Sequence, residues 1–429
     1  MSAVVVFIIF AICLVIAIPI SISLGIVAVL PGAFDASFTA SAGYVIRSMV
    51  GGIDSFPLLA VPMFVLAGIL MAHGKISEKL FDVFVYFLGN KRAGIPCAVI
   101  ITCLFYGAIS GSAPATVAAV GSMTIPLLIE LGYEKDFSTA IVAVAGGLGV
   151  IIPPSIPFIM YAMATGESVS DLFLAGIVPG MMISALLIFY AYYYCRRHGE
   201  DREKIQAKMG QLKAKGFFNI LKESIWALLS PVIVLGCIYT GVASPTEAAV
   251  ISVFYSLFVS LFIYRSIKVK QIWGIMVEAM KTYAPILFIL ATSTAFSRVL
   301  TLMQVPQDVS AWIMTHFSNE IVLLLVINVV LLIVGMVMDT TPAILILSPI
   351  LLPIVEHVGM NPIHFGVMMI VNLAVGFVTP PVGVNLFVAS SLTNVPMMQI
   401  AKKAMPMIGY FMLALLLITF IPAISLCLL

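Results

Sequence analysis

The sequence predicts an all-α integral membrane protein built as two inverted repeats, each carrying a helical hairpin and a broken helix. Three observations lead there. Of 429 residues, 62% are hydrophobic and only 9% are charged, far too few charges for the surface of a soluble protein of this size. Apolar stretches recur from end to end, Val4–Leu30, Leu172–Cys195, Ile321–Met338 and Pro406–Leu428 among them. Each reaches the ~20 residues that cross a bilayer, and roughly ten to fourteen such segments can be traced. Glycine and proline interruptions then fall in matching order in the two halves. The runs are continuous, not alternating, which excludes a transmembrane β-barrel.

At the start, residues 1–30 are apolar and no Lys or Arg precedes Arg47. A secretory signal has a positive start, so this segment reads as a retained spanning helix that begins outside the cytoplasm. Lys75/Lys79, Lys91/Arg92, Arg265/Lys268/Lys270 and Lys402/Lys403 mark inner loops. Between the first two pairs, Ile76–Gly89 is short and carries Glu78, Lys79 and Asp82; it reads as interfacial, with Gln271–Tyr283 as its expected counterpart.

The first hairpin turns at Gly107-Ala-Ile-Ser-Gly-Ser-Ala-Pro-Ala-Thr116 and the second at Gly335-Met-Val-Met-Asp-Thr-Thr-Pro-Ala-Ile344. Small residues end one arm, and a proline, whose missing N–H does no harm in a first turn, begins the next. Backbone freed inside a membrane must line a cavity or bind something. The broken helices centre on Gly146-Gly-Leu-Gly-Val-Ile-Ile-Pro-Pro-Ser155 and Gly376-Phe-Val-Thr-Pro-Pro-Val-Gly-Val-Asn385. Each Pro-Pro removes two donors and frees carbonyls that, with nearby hydroxyls, suit a small hard cation. A half-helix N-terminus suits a carboxylate instead.

These interruptions repeat. Pro57 pairs with Pro285 and Pro114 with Pro342, both offsets of 228. Pro126 pairs with Pro353, Gly132 with Gly359, and Pro153–Pro154 with Pro380–Pro381, all at 227. Such duplication is typical of secondary transporters. The expected division is a first repeat at 1–195, with hairpin ~94–131 and broken helix ~137–165, then a linker at 196–223. The second repeat is expected at 224–429, with hairpin ~320–358 and broken helix ~364–394. The linker holds Arg196, Arg197, Arg202, Lys204, Lys208, Lys213, Lys215 and Lys222, so the positive-inside rule makes it cytoplasmic. Its part Glu200–Lys215 reads equally as an amphipathic surface helix or a solvated connector.

Other chemistries find no support. The net charge of +2 carries no information on partners, and no basic cluster is interleaved with aromatics, against nucleic-acid binding. The six cysteines and five histidines lack metal-ligand spacing. No phosphate-binding loop is present, so this chain does not hydrolyse ATP, and no zinc-protease motif or nucleophile elbow marks an enzyme. Four ionisable residues stand in apolar surroundings: Asp339 at the second tip, Glu247 after Ser244-Pro245-Thr246, and Arg47 and Arg298 beside polar stretches. An arginine lining a cavity can clamp a carboxylate, with a structural ion pair or an interfacial snorkel as the plainer roles.

Taken together, the first tip, Ile151-Ile-Pro-Pro-Ser155, Ser244-Pro-Thr-Glu-Ala248 and Val378-Thr-Pro-Pro-Val-Gly-Val-Asn385 resemble the large membrane subunit of tripartite ATP-independent periplasmic (TRAP) transporters. The likeness covers essentially the whole chain and is greatest to the sialic acid branch. It implies a multi-pass protein of the bacterial inner membrane with an elevator-type ion transporter fold and coupling to two or more Na+ ions. It also implies two partners: a small four-helix membrane subunit, here a separate chain, and a periplasmic protein that delivers an acidic small molecule. The first sodium site would involve Ser110 and the backbone at Gly149, Ile152 and Pro154. The second would involve Gly335, Gly376, Thr379 and Val382. Substrate is expected between the hairpin tips, with Arg47, Ser112, Thr116, Asp339, Thr340 and Asn385 as candidate contacts. The competing readings are a stand-alone sodium/dicarboxylate symporter, a TRAP subunit for a C4-dicarboxylate or another acidic sugar, and a channel or membrane-embedded enzyme.

Overall fold

A computed structural model describes residues 3–35, 38–214, 216–316 and 319–429, and every regular element among them is helical. The first half runs α1 (Ala3–Val15), α2 (Ile20–Phe34), α3 (Ala42–Ile53), α4 (Ala60–His73) and α5 (Ile76–Leu88). It continues through α6 (Gly94–Ser110), α7 (Ala113–Glu130), α8 (Lys135–Ala145), α9 (Ile156–Thr165) and α10 (Val169–His198). After α11 (Arg202–Ala214) come α12 (Phe217–Tyr239), α13 (Pro245–Phe258), α14 (Val269–Leu302) and α15 (Val305–His316). Then follow α16 (Glu320–Val337), α17 (Thr340–His357), α18 (Pro362–Gly376), α19 (Val384–Thr393), α20 (Met397–Phe420) and α21 (Ala423–Leu426). Nine helical stretches among the described residues are long and apolar enough to cross a membrane.

The repeat offset carries one half onto the other. Adding 227 to the bounds of α7 gives those of α17, and the same shift takes α8 to α18, α9 to α19 and α10 to α20. Adding 228 takes α6 to α16, α3 to the first part of α14 and α4 to its second part. The first half breaks between α3 and α4, where Pro57 sits in a 3-10 turn, whereas α14 runs on through Pro285. That difference corrects one expectation. Gln271–Tyr283 is the counterpart of α3, and the counterpart of α5 is α15. The turns before α5 and α15 each place a non-glycine residue in the left-handed region, Lys75 (φ 60) and Gln304 (φ 58).

The repeats are inverted. Glu134, at the start of α8, accepts hydrogen bonds from Tyr194, near the basic end of α10, and from Lys403 near the start of α20. The matching start of α18 lies at the opposite side, where the Pro362 carbonyl accepts from Tyr161 in α9. The end of α19 returns to the first side, with Gln399 beyond it donating to Asp136. Equivalent helices thus run in opposite directions. The side that carries the basic linker is named the inner side, following the bias of basic residues toward the cytoplasm.

The linker is mostly helix. Arg196, Arg197 and His198 extend α10, and Lys222 belongs to α12. Ile205 and Met209 of α11 are buried and Leu212 is half-buried, an i, i+4, i+7 stripe that rests on the core. The segment Glu200–Lys215 is helical over Arg202–Ala214, with its apolar residues on the protein core; Lys215 lies outside the described residues. Glu200 ties the linker to the base of the first hairpin. Its Oε1 accepts from the Ala93 N–H (3.0 Å) and the Tyr133 hydroxyl (2.7 Å), and its Oε2 from Arg202 (2.9 Å). Lys79 pairs with Glu223 and Arg202 donates to the Asn90 carbonyl, which lays α5 along the inner surface.

Candidate functional site

The first hairpin is α6–α7 and the second α16–α17. Their turns fall at Gly111–Ser112 and Met338–Asp339. Gly111 takes φ +59, a conformation a side chain would strain. Pro114 sits in the first turn of α7. Asp339 caps α17, its Oδ1 accepting from the Thr340 N–H at 2.8 Å.

Each break presses against the end of its own hairpin's first arm. A Cβ added to Gly107 would lie 2.7 Å from the Gly149 Cα. One added to Gly376 would lie 2.3 Å from the Gly335 carbonyl carbon. Gly107 and Gly335 are related by 228, Gly149 and Gly376 by 227. The two halves therefore build the same contact, backbone against backbone. Hydrogen bonds fix each break further. The Ile156 N–H donates to the Gly111 carbonyl (3.3 Å), and the Val382 N–H donates to the Met336 carbonyl (3.2 Å). Both Pro-Pro bonds are cis.

At the first break, Pro153 offers no N–H to the Gly149 carbonyl and Pro154 none to that of Val150. Ser155 Oγ donates to Val150 instead, at 2.6 Å, which leaves Gly149 without its helical donor. Gly149 is pressed against Thr116 Oγ1 and the Ser112 carbonyl; a Cβ there would meet them at 2.4 and 2.8 Å. Ser110 Oγ lies 3.0 Å from Thr116 Oγ1, and Thr116 donates to the Ser112 carbonyl at 2.8 Å. Ser110, Ser112, Thr116 and Gly149 thus gather neutral oxygens in one place, a donor set that suits a small hard cation. The Pro154 carbonyl borders the same tip, 3.0 Å from a Cβ on Gly111. Ile152 is buried beside the break, its N–H on the Leu148 carbonyl.

At the second break, the Thr379 N–H donates to the Gly376 carbonyl (3.1 Å) and the Asn385 N–H to that of Phe377 (3.0 Å). Thr379 Oγ1 donates to Val375 at 2.8 Å, and Val382 is exposed. Asn385 is fully buried; its Nδ2 reaches across the repeats to the Ala143 carbonyl at 3.1 Å, and its Oδ1 has no hydrogen-bond partner among the described residues. The two breaks thus expose different donors.

A cavity of about 70 Å³ separates the tips, lined by Gly111, Ser112 and Ile156 on one side and Asp339, Thr340 and Phe377 on the other. An inner cavity of about 360 Å³ reaches Ser110 and Ser112 from α4 and α14, with Glu278 and Thr282 on its wall. His73 meets Glu278 at 3.0 Å beside it. An outer cavity of about 330 Å³ lies between Gly51, Gly52 and Ser55, Met163, Thr294, Ser297, Arg298 and Leu345. Arg47 lies outside all three and bonds its own helix, Nε to the Gly43 carbonyl at 3.3 Å. The structure therefore brings Ser110, Ser112, Thr116, Gly149 and Pro154 together at one tip, and Gly335, Gly376, Thr379, Val382 and Asn385 at the other break, with Asp339 and Thr340 between. Sequence reasoning did not single out Ser155 or Glu278; a hydroxyl following Pro-Pro and an acid inside an apolar helix were the available signals.

A buried polar cluster accompanies the second hairpin. Asn372 of α18 donates to Asn328 Oδ1 of α16 at 2.8 Å, and Asn328 donates to Thr419 of α20 at 3.3 Å. The equivalent positions of the first half, by the same offsets, are Ile100 and Ala145, both fully buried.

Comparison with known proteins fits this architecture. Residues 7–424 match the family "Tripartite ATP-independent periplasmic transporter, DctM component". An isethionate TRAP transporter permease of Oleidesulfovibrio alaskensis is 43% identical over 97% of this chain, which spans 64% of that protein. A C4-dicarboxylate TRAP transporter large permease of Pseudomonas aeruginosa is 40% identical over 87% of this chain and 86% of its own length. A 2,3-diketo-L-gulonate TRAP transporter large permease of Escherichia coli is 36% identical over 88% and 87%. Among solved structures, the Alcanivorax borkumensis YdaH transporter aligns with a TM-score of 0.63 at 14% identity, over 93% of this chain and 96% of that one. That last likeness concerns the fold alone. With its helical hairpins, broken helices and full-length family match, this chain belongs to the DctM component family of tripartite ATP-independent periplasmic transporters.

Proposed function

We propose that this chain is the large membrane subunit of a sodium-coupled importer of a small organic acid, working by an elevator motion. The carrying observation is the matched pair of glycine contacts, Gly107–Gly149 and Gly335–Gly376, each holding a hairpin tip against the backbone of a break. The first ion is assigned to Ser110 with the backbone of Gly149, Ile152 and Pro154. The second is assigned to Gly335, Gly376, Thr379 and Val382. Substrate sits between the tips, toward Ser112, Thr116, Asp339, Thr340 and Asn385. The inner and outer cavities flank those tips, as an alternating passage requires.

The partners are a periplasmic binding protein that delivers the acid and a small four-helix membrane subunit. The substrates named for relatives are a sulfonate (isethionate), C4-dicarboxylates and a sugar acid, so the shared chemistry is a small organic anion. N-acetylneuraminate is supported by the motif resemblance, and C4-dicarboxylates by three relatives' names. The test is reconstitution of the chain with both partners in proteoliposomes. An inward sodium gradient drives uptake of the delivered acid; replacing it with potassium, or omitting the binding protein, abolishes uptake. Uptake without sodium overturns the coupling, and uptake without the binding protein favours a stand-alone symporter. Direct competition between N-acetylneuraminate and succinate for the binding protein settles the acid.

A further inference from the structure

Arg298 stands on the wall of the outer cavity with Gly51, Gly52, Ser55, Thr294 and Ser297. Helices α3 and α14 pack antiparallel there: a Cβ on Gly52 would meet Thr294 at 2.7 Å, and one on Gly51 would meet Arg298 Nη1 at 3.9 Å. Arg47 precedes Gly51 by four residues, so it lies on the same helix face, one turn further out. The two arginines therefore follow one another from the outer rim into the cavity. Neither forms an ion pair among the described residues. Arginines on the outer side also run against the usual bias of basic residues toward the inner side.

The repeat shows that packing does not require them. Arg47 plus 228 is Ile275, and Arg298 minus 228 is Leu70. Leu70 and Ile275 are buried in one apolar cluster on the inner side. The same corner of the fold thus closes with aliphatic side chains in one half and carries two cations in the other. The inner cavity is related to the outer one by the same offsets, Ile69 to Ser297 and Ala118 to Leu345. It carries the Glu278 carboxylate and no arginine. Both side chains are exposed, so their charges stay open to water or to an arriving anion, and a guanidinium binds a carboxylate or sulfonate through paired donors.

We propose that Arg298, with Arg47 as its outer companion, is the anion-recognition site of the outer cavity, meeting the acid group of the substrate before it reaches the hairpin tips. The inference rests on the reading of this chain as an organic acid importer and adds where the acid group is first held. Thr294, Ser297 and Ser55 supply hydroxyls for the remaining polar groups of the ligand.

The test uses the full transporter with both partners in proteoliposomes, and the acid that the wild type takes up best among succinate, N-acetylneuraminate and isethionate. Arg298→Gln raises the uptake KM about tenfold and Arg47→Gln about threefold, while Arg298→Lys falls between wild type and Arg298→Gln. The sodium half-saturation stays within about twofold, because neither arginine touches the ion sites. A KM for Arg298→Gln within about twofold of wild type overturns the proposal. Sodium-independent uptake by the wild type would overturn the broader reading instead and leaves the KM comparison intact. Should a variant fail to fold, phenylglyoxal labelling of the wild type decides: the acid protects Arg298 and Arg47 from modification, and equal labelling with and without it overturns the proposal.

Discussion

Gly376 touches Gly335 so closely that a single added methyl on Gly376 would sit 2.3 Å from the Gly335 carbonyl carbon and 2.6 Å from its Cα. Both partners are backbone, so no flexible side chain can move aside. The chain needs glycine here because the backbone of a break and the end of a hairpin arm come together at backbone distance.

Gly376→Ala should therefore separate the second break from its hairpin. Overpacking of this kind costs about 1–3 kcal/mol, and the distorted site should lose sodium affinity on the order of tenfold. Thermal unfolding in detergent and the sodium half-saturation of uptake check both effects. A variant with wild-type values in both would show that the contact does not shape an ion site.

Ser110→Ala removes one hydroxyl from the first tip, where Ser110 Oγ lies 3.0 Å from Thr116 Oγ1. Losing one oxygen donor, about 1–2 kcal/mol, should raise the sodium half-saturation about tenfold. Fold stability should barely change, since Thr116 keeps its own acceptor at the Ser112 carbonyl. Thr379→Val should produce the same signature at the second break, and the two substitutions should add in free energy because they act on different sites. A change in stability with unaltered sodium dependence would assign both hydroxyls to packing.

What the sequence made legible were the elements fixed by local backbone chemistry. Pro114, Pro342 and the two Pro-Pro pairs each follow glycine or hydroxyl residues that interrupt an apolar run, so the hairpins and breaks could be located without a structure. What stayed hidden depended on neighbours far apart in the chain. Nothing in the residues around Gln271 shows that α14 continues through Pro285, so the partner of α5 was misplaced until α15 appeared. Arg298 looked no better than Arg47 until α3 and α14 were seen to pack against each other around the outer cavity. Asn385 was visible as a polar residue after a break, but its bond to Ala143 crosses 242 positions.

The cluster of Asn328, Asn372 and Thr419 gives a stability test built on the repeat. Asn372→Ala leaves Asn328 Oδ1 without the amide that donates to it at 2.8 Å, at a cost of about 1–3 kcal/mol. The double variant Asn328→Ile with Asn372→Ala installs the residues of the first half, Ile100 and Ala145, and should recover most of that loss. Thermal unfolding of both variants tests this; a double variant less stable than Asn372→Ala would show that the two halves pack differently here.

The inner surface carries a pH-dependent contribution. The hydrogen bond from Lys403 holds the Glu134 carboxyl below its usual range, so the ionised form is favoured in the folded protein. The stabilisation is fully present above the unfolded value of about 4.3 and fades as pH falls through the lower folded value. Because the pair is partly exposed, its worth stays below about 1 kcal/mol. Glu134→Gln should unfold slightly earlier than wild type at pH 7, with the gap closing under acid. A gap that widened on acidification would contradict the sign of this coupling.

The central claim is that two matched tip-and-break contacts are two sodium sites. It is tested most directly by counting 22Na+ ions and substrate molecules crossing together in proteoliposomes that hold the chain and both its partners. The account predicts a flux ratio of at least about two sodium ions per acid molecule, one for each repeat. Acid uptake with no accompanying sodium flux would contradict it.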